Sequence, residues 1–187
     1  MYRNCTTEES VWRQQQFEML LLKKMGTKLY AKITVGELCQ EAGISRNAFY
    51  QYFENKDDVL YALIDHTLLK YYQSQQIRIT SNEAFHQEVL FFLEYWNSQK
   101  LLLDALQKNR LEGKLLERCL NHNLQRHLEV VYYPFMATEE SRYQVMLFIV
   151  NGVYTLILDW HHKGYRQTIP EMAETIERVL LKPPFIL

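Results

Sequence analysis

The chain has 187 residues, 48% hydrophobic and 23% charged, with a formal net charge of -1. That composition supplies a core and excludes large-scale disorder, and the near-neutral charge means that any nucleic-acid binding must rest on local pattern rather than on a global excess of cations. Cys5, Cys39 and Cys119 are far apart and odd in number, against a disulfide framework or a zinc site, and the first residues lack a charged-then-apolar signal layout, so a reducing cytoplasm is the expected setting.

Apolar residues recur at three- and four-residue spacing almost throughout, and no proline precedes Pro134, so the fold is expected to be all-α with about nine helices. Thr6, three residues before Glu9, reads as the cap of a first helix from Glu8 to Lys28, with Phe17, Leu20, Leu21 and Met25 inward and a break or fraying at Gly26. Thr34-Val35-Gly36-Glu37 is a second capping box, opening a short helix that ends at Gly43. Ser45 caps a third helix, Arg46 to Phe53, and Asn55 caps a fourth that continues to about Gln76 with Asp57 and Asp58 in its dipole-complementing first turn. Further helices are expected at Ala84 to Asn97, Lys100 to Arg110, Leu115 to Val131, Glu139 to Lys163 and Pro170 to Lys182, with breaks at Ser98, Gly113, Pro134 and Gly164. The longest apolar run, Val145 to Trp160, is shorter than the ~20 residues of a bilayer span and contains Asn151, Gly152 and Asp159, so a buried helix is expected and no membrane partner.

The stretch from Thr34 to Leu60 carries the functional signal. A short capped helix, the turn Ala42-Gly43-Ile44-Ser45 and a second short helix have the spacing of a helix-turn-helix, in which the first helix braces and the second enters the major groove. Val35, Leu38, Cys39, Ala42, Phe49 and Phe53 would form its small core. Outward from the second helix lie Arg46, Asn47, Tyr50 and Gln51: an Arg fork suits guanine, and an Asn or Gln amide suits adenine. Lys56 stands where it can reach a phosphate together with the N-terminal amides of its helix. The caps Thr34 and Ser45, on the same surface, complete the expected DNA-binding set.

The run Thr34-Val35-x-x-Leu38-Cys39-x-x-Ala42-Gly43-Ile44-Ser45-x-x-x-Phe49-Tyr50-x-Tyr52-Phe53-x-x-Lys56-x-x-x-Leu60 resembles the signature of the tetracycline-repressor (TetR) family. The resemblance implies a three-helix DNA-binding head at residues 1–56 and an effector-binding, dimerising helical body at 57–187, with Tyr50, Tyr52 and Lys56 on phosphates. It also implies that the last two helices form a homodimer, here through Val145, Phe148, Gly152, Ile157, Trp160, Ile176 and Val179. A cavity between the fourth and eighth helices is implied as well, here with Phe92, Tyr95, Trp96, Leu103, His122 and Tyr154 as candidate ligand contacts for a small, mainly apolar effector. Two positions depart from the family pattern: Cys39 stands where Ala is frequent and Asn47 where Gly is common, which leaves operator preference open.

The expected function is therefore a DNA-binding regulator, a repressor released from a palindromic double-stranded operator by its effector. The rival from another class is a DNA-binding scaffold controlled by a protein partner with no small molecule, which exposed aromatics on the Phe85 to Trp96 helix would favour. His122 and His127 lie five apart, off the spacing that puts metal ligands on one helix face, and no nucleophile and base, paired acids or phosphate loop appear. No enzyme activity, cofactor or metal is expected.

Overall fold

The computed structural model describes residues 2–3, 5–75, 81–125 and 139–181, and among them every regular element is helical. In chain order these are α1 (Glu8–Thr27), a 3-10 turn (Tyr30–Lys32), α2 (Val35–Ala42), α3 (Arg46–Phe49), α4 (Lys56–Ser74), α5 (Asn82–Ser98), α6 (Lys100–Asn109), α7 (Glu112–Gln125), α8 (Glu139–His162) and α9 (Ile169–Leu181). Pro134, His127 and the expected helix end at Val131 lie outside the described residues.

Local rules explain most boundaries. Thr34 accepts from the Glu37 N–H while Glu37 reaches back to the Thr34 N–H, so both expected halves of that capping box form. Gly43 ends α2 at φ 65°, with its own N–H on the Gln40 carbonyl and the Ile44 N–H on that of Cys39. Ser45 caps α3 through the Ala48 N–H, and the Asp58 N–H donates to Asn55 at the head of α4. Thr168 and Glu171 form a further capping box at the start of α9, a signal that lay in the sequence two residues before the expected start at Pro170.

Four expectations are corrected. The cap of α1 is Thr7, bonded by the Ser10 N–H, not Thr6, and Glu9 pairs with Arg13 one turn on. Helix α1 does not break at Gly26, because Asn109 takes the Met25 carbonyl and Lys108 the Gly26 carbonyl, supplying partners that a helix end otherwise lacks. Helix α3 ends at Phe49 rather than Phe53, since Gln51 and Tyr52 bond three residues back in a tightened final turn. The break expected at Gly113 falls at Arg110 instead: Arg110 has φ 57°, the Leu111 N–H bonds the Leu106 carbonyl, and Gly113 is inside α7.

The helices form two compact units, Met1–Leu69 with Leu101–Arg118, and Lys70–Lys100 with Cys119–Leu187. The first unit includes α6 and the start of α7, whose Lys108, Asn109, Lys114 and Arg118 bond to α1, the 3-10 turn and α4. In the first unit Phe17, Leu21, Met25, Leu38 and Phe49 are fully buried, with the Phe17 ring edge-on to Phe49 and Phe53 at 5.1 and 5.9 Å. Asn109 also accepts the Tyr30 N–H, and the Arg118 fork grips buried Asp65, which accepts the Tyr2 hydroxyl as well.

In the second unit α5 packs on α8 and α9 over Val89, Leu93, Trp96, Tyr154, Ile157, Met172 and Ile176, and His86 meets Glu177 at its edge. Helix α8 is long and apolar enough to cross a membrane by length and composition, but one flank is buried against α5 and its sequence carries Asn151, Asp159 and His161.

Candidate nucleic-acid interface

The interface is built on α2 and α3. Their inner faces are anchored by Leu38, Cys39 and Phe49, all buried, and burial raises the Cys39 thiol pKa, in keeping with a small core residue. Helix α1 holds α2 from outside through charge: Lys24 and Lys23 meet Glu41 at 2.6 and 3.4 Å, and Lys28 meets Glu37 at 2.5 Å. Chiefly through that Lys28 hydrogen bond, and next through the Thr34 N–H, the Glu37 carboxyl is pulled down to about 2. The brace is therefore fixed on both sides, by packing and by ion pairs.

What this brace presents is polar and uncommitted. Arg46, Asn47 and Gln51 are exposed, and none of their side chains has a hydrogen-bond partner among the described residues. Tyr50 is 53% exposed with its ring edge against Phe49, which leaves the hydroxyl outward on a supported ring. Thr34 and Ser45 are exposed too, but their hydroxyls already cap α2 and α3, so contact with a duplex would add to a structural task.

Two expected residues are less free. Tyr52 is half-buried beside Phe53, and its carbonyl accepts the Arg3 N–H. Lys56 is also half-buried: its Nζ donates to the carbonyls of Tyr30 at 2.7 Å and Ile33 at 2.9 Å, and lies 4.1 Å from the centre of the Tyr30 ring. Burial lowers the Lys56 pKa against the pull of Asp57 and Glu37. Lys56 thus ties α4 to the connector before α2, and a phosphate would meet the outer end of an ammonium already held.

Sequence reasoning missed Gly36. A β-carbon there would stand 2.6 Å from Nη2 of Arg46, so the absent side chain lets the guanidinium lie against α2. The Thr-x-Gly-Glu spelling held a clue, since glycine disfavours a helix interior unless something must approach its backbone.

The remaining expected residues divide by unit. Phe92, Tyr95, Trp96, His122 and Tyr154 come together in the second unit: Tyr154 is edge-on to Phe92 and Trp96 at 5.5 and 5.3 Å, and His122 is 6.3 Å from the Tyr72 ring. Leu103 is fully buried and belongs to the first unit.

On α8 and α9, Phe148 is 72% exposed, Val179 44% exposed, and with Gly152 and Ile176 they line an apolar groove of about 470 Å³. Val145 is half-buried, whereas Ile157 and Trp160 are buried within their own unit, the Trp160 Nε1 donating to the Gln167 carbonyl. Ile149, Val153, Leu156 and Leu180 line the groove and were not anticipated, although 149, 153 and 156 follow one another at helical spacing. Among the described residues no three metal-type ligands gather.

Together these features define a helical protein that displays a helix-turn-helix with a polar outer surface. The pattern of bacterial regulatory proteins of the tetR family matches residues 25–63. Over 39 residues the chain is 54% identical to the HTH-type transcriptional regulator EthR of Mycolicibacterium smegmatis, a match that covers 21% of this chain and spans only 18% of that protein's length.

Solved structures extend the likeness in fold over nearly the whole chain. A TetR-family transcriptional regulator from Syntrophomonas wolfei superposes with TM-score 0.65 at 14% identity, covering 95% of this chain and 99% of the other. The fatty acid degradation regulator FadR from Bacillus halodurans gives 0.63 at 17%, covering 97% and 99%, and the dihydroxyacetone kinase operon activator DhaS gives 0.57 at 16%, covering 91% and 95%. The likeness to the tetR family is thus one of sequence over residues 25–63 and one of fold over nearly the whole chain.

Proposed function

We propose that this chain is a DNA-binding transcriptional regulator that works as a homodimer, a repressor released from a roughly palindromic operator by a small, mainly apolar effector. The observation that carries the reading is the contrast within the helix-turn-helix: a brace locked by Phe17, Phe49 and the Lys28–Glu37 pair supports a surface where Arg46, Asn47 and Gln51 have donors and acceptors to spare. Polar side chains held uncommitted on a rigid element suit recognition, because little order is lost when they meet a partner. In this reading Asn47 and Gln51 read base edges, Arg46 and Tyr50 contact the duplex at the ends of that surface, and Thr34, Ser45, Tyr52 and Lys56 fix the backbone register.

The groove of α8 and α9 supports the dimer, since an apolar channel edged by the exposed Phe148 and Val179 is the kind of patch a self-complementary two-fold contact covers. Two heads would then address successive major grooves about 34 to 36 Å apart. The buried aromatics of α5 support an effector more than a protein partner: Phe92 and Trp96 are buried and Phe85, Phe91 and Tyr95 half-buried, so the exposed aromatic face of the scaffold reading is not what α5 presents. Helix α4, whose residues are shared between the compact units, is the lever in this proposal.

A gel shift on the DNA upstream of the chain's own gene, repeated at rising salt, tests the reading. Retention over random duplex is expected, with affinity falling as salt rises, and equal affinity for random duplex overturns it.

A further inference from the structure

Residues 2 and 3 belong to no helix, yet both are tied down. The Arg3 N–H donates to the Tyr52 carbonyl at 3.0 Å, and the Arg3 carbonyl accepts from Nε2 of Gln14, a buried residue of α1, at 2.7 Å. Just before it, the Tyr2 hydroxyl donates to Asp65 at 2.7 Å, and the Tyr2 ring stands edge-on to His66 at 6.0 Å. Asp65 is itself fixed on α4 by the Arg118 fork, and Nδ1 of His66 meets the buried Glu18 carboxyl. The segment is thus strapped to α1, to α4 and to the turn that closes the helix-turn-helix, all within the first unit.

These bonds leave one group out. The Arg3 side chain is exposed and has neither a hydrogen bond nor an ion pair among the described residues. Most other cations of residues 1–56 are engaged: Arg13 by Glu9, Lys23 and Lys24 by Glu41, Lys28 by Glu37, and Lys56 by two carbonyls. Among the described residues Arg3, Lys32 and Arg46 remain exposed and unpaired. Arg46 opens α3, and Arg3 is bonded to the tightened turn that follows it, so the two stand at opposite ends of the polar surface. A chain of net charge -1 has to meet a duplex through local cations, and a cation on a fixed backbone loses little freedom in doing so.

We propose that Arg3 is a contact to the phosphate backbone of the duplex, with Tyr2 as the positioning residue that holds it there. The proposal rests on the DNA reading above and adds to it a cation outside the helix-turn-helix, on a segment that no sequence motif marks. A phosphate fits better than a base edge. The Arg3 backbone is bonded on both sides to the body of the protein, so the guanidinium reaches no further than its own side chain, and phosphates line the rim of the groove that α3 enters.

Gel shifts of the full chain test this at a series of salt concentrations, on the duplex upstream of its own gene and on random duplex of equal length. Arg3→Gln is expected to weaken both complexes by about tenfold, the ratio one charge-assisted hydrogen bond supplies, and to lower the salt slope by roughly one. Arg3→Lys, which keeps the charge, should keep the slope. Tyr2→Phe removes the hydroxyl but leaves Asp65 with the Arg118 fork, so the variant should stay folded by circular dichroism. It is expected to weaken binding in the wild-type background and to add nothing to Arg3→Gln. Affinity and slope unchanged in Arg3→Gln overturn the proposal. Weakening confined to particular sequences does the same, by moving Arg3 to a base edge, and an equal Tyr2→Phe loss with and without the arginine removes the positioning role. A wild type with no preference for the upstream duplex sinks the regulator reading, while the slope on random duplex still decides Arg3; binding to neither duplex sinks both.

Discussion

The outer surface of α3 and the outer surface of α8 and α9 are both exposed, yet they are opposite in chemistry. On α3 the outward residues are Arg46, Asn47 and Gln51, held over a core of phenylalanines; on α8 and α9 the outward residues are Phe148, Val179 and the apolar walls of a groove. A helix that buries its apolar side and shows amides has answered its own hydrophobic demand and is free to exchange hydrogen bonds. A helix with apolar side chains on both flanks has answered only half of it. Exposure alone therefore says little about function, and the kind of atom exposed says which class of partner can pay for the contact.

The largest effect should come from breaking the apolar surface. Phe148→Asp places a charge on the groove's edge, and if that groove is a dimer contact the variant loses at least about 3 kcal/mol of association, the cost of burying a charge without a partner. Sedimentation velocity reads this as a shift from dimer to monomer, with weakened operator binding in the same sample. Association equal to wild type would separate the groove from assembly. A smaller effect is expected on the polar surface: Gln51→Ala should cost about 1 to 3 kcal/mol and relax preference at a single base pair. Gel shifts over singly substituted operators check it, and uniform weakening over all of them would reassign Gln51 to the phosphates.

The smallest effect tests the brace beneath that polar surface. The carboxyl of Glu37 is lowered from its ordinary 4.5 to about 2, first by Lys28 and then by the Thr34 N–H. A group whose pKa falls on folding contributes stability that is complete above its unfolded value and is lost as pH drops through the folded one. The wild-type melting temperature should thus fall more steeply between pH 4.5 and about 2 than that of Glu37→Gln. Parallel profiles by circular dichroism would show that the capping box and ion pair contribute nothing to the head's stability.

The helix-turn-helix was legible because its determinants act within a few residues of one another. Thr34 with Glu37, Gly43 in its left-handed turn and Ser45 with the Ala48 N–H are local bonds, and the spacing of Leu38, Cys39, Phe49 and Phe53 follows from helix period. The face of α8 was only half legible. A helix apolar nearly all round has no amphipathic phase to read, so Phe148 and Gly152 were placed on the open side together with Ile157 and Trp160, which are buried within their own unit. Nor does local sequence show that Asn109 and Lys108 would end α1 past Gly26, since those partners are more than eighty positions away.

By itself the amino-acid sequence determined the helical class, the caps and the helix-turn-helix, because periodicity and capping are written in neighbouring residues. Only the tertiary structure decided that Lys56 is tied to two carbonyls, that Arg46 lies over Gly36, and that Arg3 is bonded to Tyr52. The reason is that hydrogen-bond partners and burial belong to pairs of distant segments, and a pair has no position in the chain until the chain has folded.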